Sequence, residues 1–278
     1  AKPEAFWAIY GDLEALLLWQ LEGRVPEEKI RTWQDRLRPS IEANIASITG
    51  ESWVTIAANT LLQSTAILQL AVTSYGRTNP ADPALVKWQE QAWANLAKAR
   101  MIQLSGGAFS YIRDSGPDPC YFAFDTAHLG RTYQLTGNPE AREALMRMAE
   151  WAGAATISGW LTPFSSPWWK HIAGSGGPYT GPEHVTALAD DPVMRGVMAK
   201  RRGHIQPYTW SYASMYSWLP ADGPVQPISD RCVFDRNANG PALRDGGWDV
   251  EMPARAWGDS SCGVSVSTDK ANTSCVNA

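Results

Sequence analysis

The sequence predicts a mainly α protein: paired helices closing around a central cleft, an incomplete or complete (α/α) toroid, followed by an irregular, partly β segment. Three observations carry this expectation. Apolar residues recur at helical spacing from about residue 12 to residue 155. Helices with one wet face alternate with a helix that is apolar nearly all round. Helical periodicity then disappears after Pro220. Antiparallel helix pairs around a cleft explain the alternation better than a four-helix bundle does. No tandem repeat accompanies it, so the toroid rests on helix order alone. The expected division is a helical domain over 1–219 and an extension over 220–278 packed on it.

The elements follow in order. Asp12 to Leu21 carries Leu13, Leu16, Leu17 and Trp19 at helical intervals, Gly23 breaks it, and Pro26 opens the next helix. That second helix sets Ile30, Trp33, Leu37, Ile41, Ile45 and Ile48 along one side, with a kink expected at Pro39. The third, Ser52 to Tyr75, is ringed by Trp53, Ile56, Leu61, Leu62, Ile67, Leu68, Leu70 and Val72, so it should be buried on most sides. Pro83 starts a fourth helix. A loop over 105–113 contains a short extended run, Phe122 to Leu135 forms a fifth helix ended by Gly137, and Pro139 to Trp151 forms a sixth capped by Asn138. Residues 153–182 are rich in Gly, Pro, Ser and Trp, and so long a loop in a compact domain is usually functional. A short helix near Asp191–Arg202 leads to one over Tyr208–Leu219. Beyond Pro220 the chain has turn residues and short extended pieces such as Cys232-Val233-Phe234 and Gly263-Val264-Ser265-Val266.

Composition excludes several classes. At 278 residues with 44% hydrophobic and 19% charged residues, the chain can bury a large core and is not disordered. A net charge of -4 argues against general nucleic-acid binding. No apolar run approaches the ~20 residues needed to cross a bilayer, so no membrane partner is expected. Ala1-Lys2-Pro3-Glu4-Ala5 resembles the start of a mature exported chain. The four cysteines, Cys120, Cys232, Cys262 and Cys275, lack zinc-site spacing. One or two disulfides in a secreted or periplasmic protein is the preferred reading, with buried free thiols as the alternative.

Chemistry concentrates between Trp160 and Trp218. Trp168, Trp169, Lys170 and His171 form one cluster, Lys200, Arg201, Arg202 and His204 another, and Tyr208, Tyr212 and Tyr216 recur four apart on one helix face. Flat rings suit sugar faces, and fixed cations suit carboxylates, so the partner expected is an acidic polysaccharide. Ordinary core packing for the rings and a solvated surface for the cations are the competing readings. On the third helix, Ser52, Thr55, Asn59 and Gln63 make a polar line inside an apolar cylinder. Each buried amide there needs a partner, since leaving one unpaired costs about 1–3 kcal/mol. A watery cleft or interhelical hydrogen bonds would each supply one.

The helix succession, the Gly107-Ala108-Phe109-Ser110-Tyr111 loop before Tyr121-Phe122-Ala123-Phe124-Asp125, and the Pro167-Trp168-Trp169-Lys170-His171 loop together resemble carbohydrate-active (α/α) toroids. Among these the chain looks most like polysaccharide lyases acting on alginate, glucuronan and related uronate polymers, over about residues 6–219. The resemblance implies β-elimination: Asn, His or Arg neutralises the substrate carboxylate, Tyr or His removes the C5 proton, and Tyr protonates the leaving oxygen. The enediolate that forms needs charge stabilisation, and a tyrosine base needs nearby cations to lower its pKa from ~10. Tyr212 or Tyr208 beside Arg201, Arg202 and His204 would have such surroundings. The expected catalytic set is therefore Tyr212, Tyr208, His204, His171, Arg202 and Asn59. The substrate-binding set is Trp168, Trp169, Lys170, Arg201, Tyr111, Arg113, Tyr121 and Gln63, and Tyr216 is read as packing.

Two rivals remain at this level. A glycoside hydrolase on the same scaffold would need two carboxyl groups about 5–10 Å apart, with Asp118, Asp125, Asp249 and Glu251 as candidates. A non-catalytic sugar-binding protein would use the same rings. Serine-hydrolase and phosphate-loop motifs are absent from the sequence. No cofactor is required. A structural calcium is suggested by Asp235-x-Asn237-x-Asn239-Gly240, the first half of a calcium loop, with Asp245 as the nearest further acid; an Asn-Gly turn between strands is the alternative.

Overall fold

The computed structural model describes residues 4–48, 57–110, 119–157, 160–161, 231–235, 240–245, 248–251, 263–268 and 271–277. Six helices come first: α1 (Glu4–Glu22), α2 (Glu27–Ile48), α3 (Ala58–Thr78), α4 (Ala84–Met101), α5 (Pro119–Thr136) and α6 (Pro139–Ala155). A short antiparallel pair follows, β1 (Thr156–Ile157) with β2 (Trp160–Leu161). Then comes a five-stranded antiparallel meander, β3 (Arg231–Asp235), β4 (Gly240–Asp245), β5 (Trp248–Glu251), β6 (Gly263–Thr268) and β7 (Ala271–Asn277), in sequence order across the sheet. The last quarter thus holds a regular sheet where turn residues had suggested largely irregular chain.

Local chemistry explains the helix boundaries. Gly23 (φ 67) and Gly137 (φ 63) adopt the left-handed conformation that ends α1 and α5, and their N–H groups donate to Trp19 and Tyr133 carbonyls at 3.2 and 2.7 Å. Asn138 caps α6 as expected, its Oδ1 accepting from the amides of Glu140 at 2.8 Å and Ala141 at 3.0 Å. Asp82 does the same before α4, accepting from Ala84 N at 2.9 Å. Pro39 lies inside α2 without ending it. α1 begins eight residues before the expected Asp12, because Ile9 and Tyr10 continue its buried stripe. Likewise α6 runs past Trp151 to Ala155, taking in the first residues of the presumed loop.

The helices pack in two rows. α3 touches α1, α2, α4 and α5, and its Leu61, Leu62, Ala66, Ile67, Leu68, Leu70 and Ala71 are all buried, as the all-round apolar pattern predicts. Tyr10 meets His128 and Glu14 meets Arg131, contacts that climb α1 and α5 together, so these two helices are parallel. In contrast, Gln34 pairs with Ser74 and Asn44 with Ser64, which makes α2 antiparallel to α3. Tyr75 against Trp88 and Ser64 with Asn95 make α4 antiparallel to α3 as well. The other row is stitched by ion pairs: Arg38 with Asp82 and Lys87 with Glu42 join α2 to α4, while Arg100 reaches Glu143 at 2.9 Å and Glu140 at 3.7 Å to join α4 to α6. The partly exposed pairs of Lys87 with Glu42 and of Arg100 with Glu140 and Glu143 add little stability each and chiefly fix register, whereas Asp82 is buried against Arg38.

Two apolar clusters fill the space between the rows. One gathers α1, α2, the second half of α3 and the first half of α4 around Leu13, Leu17, Ile41, Ile67 and Trp88. The other gathers the first half of α3 with α4, α5 and α6 around Leu61, Leu62, Leu96, Leu129 and Leu145. Between α4 and α5 the chain makes a tight turn closed by Gln103 opposite Phe109, the short extended run expected there. The protein is thus largely helical and built of packed helix pairs. Among the described residues these pairs close no ring.

Candidate functional site

Where α1, α3 and α5 meet, the apolar core gives way to a polar seam. Arg131 Nε donates to Glu14 Oε1 at 2.5 Å across 117 positions of sequence, and Arg131 Nη1 donates to Gln134 Oε1 at 2.7 Å. Tyr10 donates its hydroxyl to Glu14 at 2.9 Å, and its ring stands edge-on to His128 with centroids 4.8 Å apart. Glu14 is 3% exposed and Arg131 1%, so each charge depends on the other for the solvation it has lost. Burial, then the neighbouring Glu14 charge, pushes the Tyr10 hydroxyl well above the ordinary tyrosine range. Tyr10 is therefore a hydrogen-bond donor and not a base. Asp125 and His128, both buried, precede Arg131 at successive helical steps of three on the same face of α5.

Two amides, Asn59 and Gln63, lie on α3, the helix packed against both α1 and α5. Ser74 lies between α1 and α2, because its carbonyl accepts from Gln20 of α1 and from Gln34 of α2, each at 3.0 Å. Gln63 precedes Ser74 by eleven residues, close to three full turns, and so points the same way; Asn59 lies one turn before Gln63. Leu129 of α5 belongs to the same apolar cluster as Leu61 and Leu62 of α3. Gln63 is 4% exposed. Its Nε2, and Asn59 Oδ1, are buried and meet no hydrogen-bond partner among the described residues. Gln20, Asn44, Gln69 and Gln89 also carry a buried side-chain atom without a partner, so Asn59 and Gln63 stand out by lying one turn apart on α3 and not by lacking partners. Of the polar line read from sequence, Asn59 and Gln63 fall on α3, which begins at Ala58 and not at the expected Ser52, while Ser52 and Thr55 lie outside the described residues.

Most of the expected site lies elsewhere in the chain. Tyr208, Tyr212, His204, His171, Arg201, Arg202, Trp168, Trp169, Lys170, Tyr111 and Arg113 all fall outside the described residues. Tyr121 stands in the first turn of α5, the end of that helix nearest the seam's Asp125. Sequence reasoning missed Tyr10, Glu14, His128 and Arg131. A signal was present: Glu14 interrupts the apolar run Leu13, Leu16, Leu17, and Asp125, His128 and Arg131 share one stripe of α5. A lone charge in such a run needs a partner, but the sequence does not say which.

The sheet changes the calcium reading. Asp235 pairs with Gly240, so 236–239 is the connection of a β-hairpin, the strand turn held as the alternative. Asp245 closes the far end of β4, five residues along and roughly 17 Å from Asp235, so these two cannot hold one ion. Asn237 and Asn239 lie outside the described residues. No group of three or more His, Cys, Asp or Glu among the described residues could hold a metal ion. Cys232 is exposed on β3 with a free thiol, so the expected disulfides do not include it. No described helix is long and apolar enough to cross a membrane.

The class these features define is a largely helical domain of packed, antiparallel helix pairs with a polar seam between α1, α3 and α5. No family model matches the chain, no curated protein matches it, and no solved structure does so.

Proposed function

We propose that the chain is an exported polysaccharide lyase that cleaves an acidic, uronate-containing polymer by β-elimination, and that its helix pairs belong to an (α/α) toroid spanning 1–219 with 220–278 as an extension. The observation that carries this reading is the pair of unpartnered amide atoms, Asn59 Oδ1 and Gln63 Nε2, on α3, the helix packed against both α1 with Tyr10 and α5 with His128. Gln63 Nε2–H can donate to a substrate carboxylate and to the enediolate that develops on it when the C5 proton leaves, and Asn59 Oδ1 can accept from a sugar hydroxyl beside it. Tyr10 has the wrong proton affinity for a base, so that role falls to Tyr208 or Tyr212, with His204, His171 and Arg202 assisting. The Glu14–Arg131 pair acts as a brace, since its charges already neutralise each other. No cofactor enters this chemistry.

The test is turnover of alginate, glucuronan and pectate, followed both by ultraviolet absorbance of the unsaturated uronate and by reducing ends. Wild-type protein should generate absorbance in step with chain scission, and Gln63→Ala should lower kcat/KM about 10²–10³-fold, with a smaller loss in Asn59→Ala. Reducing ends without absorbance, or full activity in Gln63→Ala, would sink the proposal.

A further inference from the structure

The α1–α2 hairpin carries a pair of indoles, Trp19 half-exposed and Trp33 partly buried against the core. Trp19 of α1 is 42% exposed, and its ring centroid lies 4.9 Å from that of Trp33 on α2, the planes tilted by 44°. Large indoles are usually buried, so a half-exposed one propped against a second calls for an explanation. Lys29 Nζ sits 5.2 Å from the Trp33 ring centroid, one helical turn before it. Arg36 follows Trp33 by three residues, so Lys29, Trp33 and Arg36 share one stripe of α2 about 10 Å long. Both cations are exposed, and neither has a carboxylate partner among the described residues. Of the nearby acids, Glu22 and Glu27 are turned to Arg24 and Arg31, while Glu28 and Asp35 lie on the adjacent stripe of α2. Asp12 lies two turns before Trp19 on α1, beyond the end of the aromatic pair.

We infer that Trp19, Trp33, Lys29 and Arg36 form a surface site for an anionic polysaccharide, separate from the polar seam. A flat indole offers a stacking surface to the C–H face of a sugar ring, and the two unpaired cations lie where acid groups on the stacked ring and its neighbour would fall. Two exposed cations on the stripe of the Trp33 ring favour an acidic polymer over a neutral one, although the whole chain is net negative. Such a site would hold a long chain on the protein without taking part in chemistry, and it does not depend on the lyase reading. Carboxylated and sulfated polymers present the same kind of anion, so the probe set must contain both.

The experiment is affinity electrophoresis of the full chain through gels containing polygalacturonate, chondroitin sulfate or neutral pullulan. The wild type should be retarded by one or both anionic polymers and not by pullulan. Trp19→Ala and Lys29→Glu should each weaken the apparent Kd at least tenfold with unchanged helical circular dichroism. Retardation in the anionic gel but not the other tells carboxylate from sulfate as the group recognised. Gln63→Ala, which alters the buried amides of α3, should bind as wild type does, so loss of turnover and loss of surface binding are read independently. Unchanged retardation in the Trp19→Ala/Lys29→Glu double variant overturns the inference. So does equal retardation by pullulan, or binding of phosphatidylserine vesicles with none of either anionic polymer.

Discussion

Replacing Arg131 by methionine removes the only described cation that faces Glu14 while keeping a side chain long enough to fill much of the space. The remaining carboxylate is 3% exposed and keeps the Tyr10 hydroxyl as a donor, but it loses its counter-charge. Breaking one partner of a buried pair costs about 3–5 kcal/mol, against a total stability of roughly 5–15 kcal/mol for a domain. A loss of about 4 kcal/mol raises the unfolding constant nearly a thousandfold. Urea denaturation of wild type, Arg131→Met, Glu14→Gln and the double variant reads the effect and the coupling together. Most of the loss should return in the double variant, because the uncompensated charge is gone. A single-variant loss below about 1 kcal/mol, with no coupling between the two positions, would refute the view that this pair braces α1 against α5.

Two further perturbations test local claims. Gly107 has φ 113, and a Cβ there would fall 1.9 Å from the Arg147 carbonyl oxygen, so Gly107→Ala should cost at least roughly 1–3 kcal/mol in urea melts; a smaller loss would mean that the turn does not press on α6. The hydrogen bond from Arg38 holds the Asp82 carboxyl below the usual carboxylate range. A depressed folded pKa gives stability that is complete above the unfolded value, ~3.9, and is lost as pH falls through the folded value. Urea midpoints measured from pH 6 downwards should therefore drop below about pH 4 less steeply in Asp82→Asn than in wild type. Identical slopes would remove Asp82 from the account.

Much of the helical half is legible in the chain because its signals are local. Gly23, Gly137 and Asn138 act on backbone within one turn, and the stripe of Ile30, Ile41, Ile45 and Ile48 repeats at the helical period. α3 was recognisable as the central helix because apolar residues surround it. The start of α1 was less clear: before Asp12 its apolar residues include Trp7, Ile9 and Tyr10, without a capping signal to mark the boundary. The sheet was visible only in fragments, since its short strands are separated by Gly, Pro and Asn that favour turns and irregular chain alike.

The candidate site divides along the same line. Asn59 and Gln63 stood out because an amide in an apolar helix is anomalous wherever the helix lies. Tyr10, Glu14, His128 and Arg131 did not, because their meaning depends on α1 and α5 running parallel beside α3. The sequence by itself determined the helices, their caps and which faces are apolar, all of which depend on residues within a few positions of one another. Tertiary structure alone decided that Glu14 meets Arg131 117 positions away and that Asp245 stands a strand's length from Asp235. Periodicity tells a side chain which face to take, but only the packing of one element on another determines what it meets there.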